Sequence, residues 1–172
     1  MLTRPCCVAC HRGNVSPVAE ANIAGDPTAA DRVFTSGLPL TIVGLDVTQE
    51  VIMKEAGFAA IRDSGGDAGR FIYQISRYYL SFHEQLTGRY ECPVHDSSAV
   101  AYLLRPDIYE TRKAVVRVVT EGVALGQTIC ADPETPYESS AWRELPTCKI
   151  CTRVNSPLML QLYLETIALA AD

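Results

Sequence analysis

The chain has 172 residues, 48% of them hydrophobic, which is enough for one sizeable buried core in one domain. Its formal net charge is −5 with 15 Lys and Arg spread thinly, so no basic stripe exists to neutralise phosphates and nucleic acid is excluded as a partner class. No apolar run reaches the roughly 18 residues of a membrane-spanning helix, and MLTRPCCVACHRGN lacks a signal-peptide core; a soluble, cytoplasmic protein that engages no membrane is expected.

Residues 1–12 carry Cys6, Cys7 and Cys10 of the seven cysteines, the others being Cys92, Cys130, Cys148 and Cys151. An odd count leaves at least one thiol unpaired in any disulfide scheme and fits a reducing compartment. Cys7, Cys10 and His11 form a C-x-x-C-H pattern of haem attachment, but it stands alone and no export signal accompanies it. Cys7 and Cys10 with Cys148 and Cys151 would make a four-thiolate zinc site only across the whole length of the chain; ordinary thiols are the simpler reading.

GNVSPVAEANIAGDP then supplies Asn14, Glu20 and Asn22 in a non-repetitive segment. Amides donate and accept while a carboxylate accepts, so this set can read vicinal hydroxyls; the alternative is that the three satisfy turns and cap helices. DPTAADRVFTSG predicts a short helix, with Asp26 as cap, Pro27 at the first position and Gly37 past the end. LPLTIVGLD follows as a continuous apolar run suited to a strand covered on both faces.

Beyond the Gly-rich break at residues 64–66, Phe71, Ile75, Tyr78, Phe82 and Leu86 recur at helical spacing and predict a helix of about five turns. Tyr79 and His83 are four apart and share a face of it. ECPVHDSSAVAYLL sets His95 and Asp96 at the mouth of the next helix, which ends near Arg105 before Pro106. Two readings stand for that pair: Asp96 or Ser97 caps the helix, or the carboxylate holds a metal while the imidazole moves a proton.

KAVVRVVTEG and VALGQTICAD read as paired edge strands, with Lys113, Arg117 and Glu121 on one parity and Ala114, Val116 and Val118 on the other. CKICTRV alternates similarly. SPLMLQLYLETIALAA predicts a closing helix with Ser156 as cap, Pro157 at its first position and most of its surface buried. The composite is α/β: a mostly parallel open sheet flanked by helices, with a small β-rich edge. Ligands in such sheets gather in loops at the carboxyl ends of strands, where the Asn14–Asn22 and His95/Asp96 segments are expected.

Together GNVSPVAEANIAGDPTAADRVFTSGLPLTIVGLDVT and HDSSAVAYLLRPDIY resemble the inosine/uridine-preferring nucleoside hydrolases, over roughly residues 13–130 and, more loosely, the C-terminal helix. Residues 1–12 lie outside the resemblance, as an unmatched Cys-rich segment before a single domain over 13–172. The resemblance implies hydrolysis of the N-glycosidic bond of ribonucleosides, purine nucleosides such as inosine or pyrimidine ones such as uridine, in nucleoside catabolism. It implies that Asn14, Glu20 and Asn22 bind ribose hydroxyls, that His95 protonates the departing base, that Asp96 is a calcium ligand touching the sugar, and that Tyr79 and His83 line the base pocket. Calcium is the implied cofactor and a homo-oligomer the implied assembly. The family's D-x-D-x-x-x-D-D cluster has no counterpart here, so the chain is expected to be N-terminally incomplete relative to the family, with weak or absent turnover by itself. The alternative is a non-catalytic subunit or ribose binder.

Overall fold

A computed structural model describes residues 13–169. Its elements in chain order are α1 (Ala21–Gly25), α2 (Pro27–Phe34), β1 (Thr41–Ile42), α3 (Leu45–Thr48), β2 (Ile52–Lys54), α4 (Glu55–Ser64), α5 (Gly66–Thr87), β3 (Glu91–Pro93), α6 (His95–Leu104), β4 (Tyr109–Val118), β5 (Thr128–Ala131), β6 (Thr147–Val154) and α7 (Ser156–Ala168). They divide into two units, one holding the described residues up to Asp46 with Glu110–Arg153, the other Val47–Tyr109 with the C-terminal helix. The expectations for Cys6, Cys7 and Cys10 fall outside the described residues.

The first unit is built on a four-stranded sheet in the order β1-β6-β4-β5. β1 runs parallel to β6 with Thr41 opposite Lys149, and β4 runs antiparallel to β5 with Val116 opposite Cys130. The α/β class expected from the sequence is therefore what forms, with a mixed sheet whose antiparallel pair is the β-rich edge. Ala114, Val116, Cys130, Cys148 and Ile150 form its buried apolar cluster, and Phe34, Leu40 and Ile42 pack against it. The parity expected of β4 holds for Ala114, Val116 and Val118, all buried. α2 forms as its sequence predicts: Asp26 accepts from the Ala29 amide at 2.9 Å and Pro27 occupies the first helical position.

LPLTIVGLD departs from the expectation of one long strand. Only Thr41 and Ile42 pair, and Leu45–Thr48 turns into α3, which buries Leu45, Val47 and Thr48. An apolar run without alternation fits a buried strand and a buried helical turn equally, so its periodicity carries no choice between them.

In the second unit Met53, Phe58, Ile61, Leu80 and Cys92 form the core, closed by Ile72, Tyr73, Leu160, Tyr163, Leu164 and Ile167. The 22-residue α5 is present, but the apolar series that reveals it in the sequence faces outward: Phe71, Ile75, Tyr78, Phe82 and Leu86 are exposed, Tyr78 at 80%. The packed face is the one bearing Gly69, Ile72, Tyr73, Ser76 and Leu80. Small residues win that face because α4 and α5 approach closely; a Cβ on Gly69 would lie 2.1 Å from the Ile61 carbonyl oxygen. α7 likewise is only partly covered, with Met159 its one fully buried side chain among the described residues. Its cap is Asn155, whose Oδ1 accepts from the Leu158 amide at 3.3 Å, rather than Ser156.

Candidate functional site

β2 and β3 form an antiparallel ladder that sets Ile52 opposite Pro93, and the Val94 amide continues it by donating to the Val51 carbonyl at 2.9 Å. The chain then coils into α6 at His95, so the imidazole and the Asp96 carboxylate both leave the first turn of that helix. Neither Asp96 nor Ser97 caps it: the N-cap is Val94 and no side chain accepts from the first amides. The capping reading of this pair is thus overturned by register, since both residues lie inside the helix. Asp96, exposed and in the first turn, is placed favourably against the positive end of the helix.

His95 is half-buried, and its Nδ1 lies 2.7 Å from the hydroxyl of Thr48, which is 3% exposed. The ring forms part of the wall of a cavity of about 420 Å³, whose other walls include Phe58, Ile72, Tyr79, Cys92 and Asp96. That volume lies within the range of small-molecule pockets, and a mostly apolar wall with a few convergent polar groups is their usual composition. Burial, with Cys92 and Asp96 nearby, pushes the Tyr79 phenol above its ordinary value, so it stays a proton donor. Burial also pushes the Cys92 thiol up to about 11, which makes it an inert wall rather than a nucleophile.

His83 stands edge-on to Tyr79, ring centroids 4.6 Å apart at 76°, and also touches Phe82. Burial holds its imidazole below the ordinary histidine range. Among the described residues that wall the cavity, Tyr79, His95 and Asp96 are present and His83 acts only through its contact with Tyr79.

Asn14, Glu20 and Asn22 belong to the other unit, where they form a cluster of their own. The Glu20 carboxylate caps α1, accepting from the Asn22 amide at 2.9 Å and the Ile23 amide at 3.2 Å, and the Asn22 side-chain NH2 donates to it at 3.1 Å. Asn14 accepts from the Ala21 amide at 2.9 Å through Oδ1. The loop before them is drawn tight by the Asn14 and Val15 amides, both donating to the Ala19 carbonyl. Gly13 is required there: a Cβ would lie 2.3 Å from the Ala19 oxygen. The capping and turn roles foreseen as the alternative for these residues are realised, and they leave the Asn14 NH2 to donate and the Asn22 Oδ1 to accept.

Calcium takes six to eight oxygens. Asp96 supplies one carboxylate, and among the described residues no group of three His, Cys, Asp or Glu side chains converges. The residues described do not fit a calcium cage by themselves. Cys148 and Cys151, the described half of the zinc expectation, are buried on β6; burial raises both thiols, Cys151 to about 11, which disfavours the thiolate that zinc requires. No helix among the described residues is long and apolar enough to cross a membrane.

Thr48, Phe58, Ile72, Ser76 and Tyr163 are among the contributors to this region with no warning in the sequence. Thr48 stands within GLDVT, whose apolar pattern signals only burial.

Comparison with known proteins identifies the family. The family model described as inosine-uridine preferring nucleoside hydrolase matches residues 6–161, taking in residues 6–12 as well. A probable uridine nucleosidase 1 of Oryza sativa subsp. japonica is 33% identical over 156 residues, covering 90% of this chain and 48% of the relative. The structure of a plant nucleoside hydrolase superposes with a TM-score of 0.87 at 27% identity, covering 91% of this chain and 50% of that one. A purine-preferring ribonucleoside hydrolase from Gardnerella vaginalis gives a TM-score of 0.81 at 31% identity, covering 93% and 49%. The chain thus spans about half the length of the relatives it matches. A family-model match over residues 6–161 and a relative 33% identical over 90% of this chain show that the chain belongs to the inosine-uridine preferring nucleoside hydrolase family.

Proposed function

We propose that this chain contributes sugar-binding and base-protonating residues to hydrolysis of the N-glycosidic bond of ribonucleosides. The observation that carries the reading is His95 in the wall of a small-molecule cavity beside Tyr79 and Asp96, within a chain of this family. Breaking the bond to the base develops positive charge on the sugar ring and negative charge on the leaving base. A proton donor beside the base and carboxylates beside the sugar both lower that barrier. In this reading His95 gives its proton to the departing base, and Tyr79, backed by His83, presents an aromatic face and a phenol donor to it. Asn14, Glu20 and Asn22 take the ribose hydroxyls, one amide donating and the other accepting. Asp96 contributes an oxygen to the sugar, and would supply one ligand to a calcium ion were one bound there.

The relatives differ in base, one being named for uridine and another for purines, so either base class is a candidate substrate. Reduced, buried Cys92, Cys148 and Cys151 favour a cytoplasmic, reducing setting.

The test uses the full chain with inosine and with uridine, with and without calcium, following heat of binding and release of ribose. Binding that depends on Asn22, with any ribose release abolished by His95→Ala, is the expected result. Binding without release under every condition supports the non-catalytic ribose-binding alternative. Absence of binding to either nucleoside refutes both.

A further inference from the structure

Two partners 47 positions apart, Thr48 and His95, meet at 2.7 Å because the β2–β3 ladder demands it. Thr48 ends α3 just before β2, and His95 opens α6 just after β3. The Val51 amide donates to the Thr48 carbonyl at 3.2 Å, and the Val94 amide donates to the Val51 carbonyl at 2.9 Å. These two bonds tie the backbone of one partner to the residue before the other. Thr48 is buried at 3% exposure, so its β-branched side chain is confined and its hydroxyl has a fixed direction. His95 walls the cavity while the nitrogen turned to Thr48 points at a residue that does not.

We propose that Thr48 is a positioning residue for His95, its hydroxyl accepting a hydrogen bond from Nδ1–H so that the ring plane is held and proton transfer falls to Nε2. The inference rests on the reading of His95 as the acid that serves the leaving base. A histidine that gives its proton from Nε2 carries Nδ1–H both before and after the transfer. An acceptor at Nδ1 therefore keeps its bond through the step, whereas a donor there would have to turn over in each cycle. Which ring nitrogen bears the proton is decided by the partner of the other, and a neutral hydroxyl does this without adding charge beside the cavity.

The proton position is read directly from imidazole nitrogen shifts in long-range proton–nitrogen correlation spectra of the full chain labelled at histidine, at alkaline pH and without substrate. His95 is identified by the signals lost in His95→Gln. The expected result is a neutral His95 in the Nδ1–H form, preserved in Thr48→Ser and lost in Thr48→Val. A neutral His95 in the Nε2–H form in the unaltered chain, or signals unchanged by Thr48→Val, overturns the proposal. Should Thr48→Val fail to fold, the form found in the unaltered chain and in Thr48→Ser decides alone. Because no nucleoside is present, failure of this hold and failure of nucleoside hydrolysis are separate results.

Discussion

The Asp31 carboxylate and the Arg117 guanidinium, 86 positions apart, face each other through two hydrogen bonds of 2.8 and 2.9 Å, and the same carboxylate accepts from the Val118 amide at 2.8 Å. This joins α2 to β4, and at 15% and 30% exposure for Asp31 and Arg117 the pair is shielded well beyond an ordinary surface ion pair. Asp31→Asn should cost about 2 kcal/mol at neutral pH in urea denaturation, because it leaves the guanidinium without its bidentate acceptor. The hydrogen bond from Arg117 holds the Asp31 carboxyl below its ordinary range. A depressed carboxylate stabilises the fold above its unfolded pKa and loses that contribution as pH falls through its folded value. The deficit of Asp31→Asn should therefore shrink at acid pH, and a deficit equal at neutral and acid pH would count against the pair.

His83 gives the opposite chemical case with the same direction of loss. Its imidazole is held below the ordinary histidine range by burial, so the unfolded chain takes up a proton at higher pH than the folded one. Stability should decline as pH falls below about 6.5 and level off below the folded value. His83→Phe keeps the aromatic contact with Tyr79 and should flatten the decline between neutral and weakly acid pH in thermal melts.

Gly69→Ala and Gly25→Ala test packing against propensity. Alanine gains up to about 1 kcal/mol over glycine in a helix interior. At Gly69 the new Cβ meets backbone oxygen at 2.1 Å, so overpacking of about 1–3 kcal/mol outweighs that gain. Gly25, at the end of α1, has nothing within 4 Å of its built Cβ and should be neutral or slightly stabilised. Equal melting temperatures for the two variants would contradict the close approach of α4 and α5.

Glu20 separates capping from binding. Glu20→Ala should cost about 1 kcal/mol locally and speed amide exchange at Asn22 and Ile23, which lose their acceptor. Glu20→Gln keeps an acceptor oxygen and should retain most of that protection while weakening nucleoside binding through loss of charge. Retained protection with undiminished nucleoside binding would assign Glu20 to the cap alone.

Local chemistry was legible wherever one short stretch decides it. Asp26 and Pro27 start α2, and Ala114, Val116 and Val118 on one parity, with Lys113 and Arg117 on the other, mark β4. The family resemblance needed two continuous stretches, the one from Gly13 to Thr48 that holds Asn14, Glu20 and Asn22 and the one opened by His95 and Asp96. Where two structures satisfy one pattern, the chain order alone could not choose. The apolar run after Pro39 served a two-residue strand and a helical turn, and Asp96 proved to be inside a helix rather than at its cap.

What the sequence by itself determined is the α/β class, α2, α5 and the β4–β5 pair, and the family, because periodicity, turn chemistry and residue spacing are properties of neighbours along the chain. Tertiary structure decided which face of α5 is covered, since glycines at positions 65 and 69 and Ser76 allow an approach that the bulky series from Phe71 to Leu86 would block. It also decided that Thr48 meets His95, because a hydrogen bond between residues 47 positions apart exists only once the β2–β3 ladder has set their register.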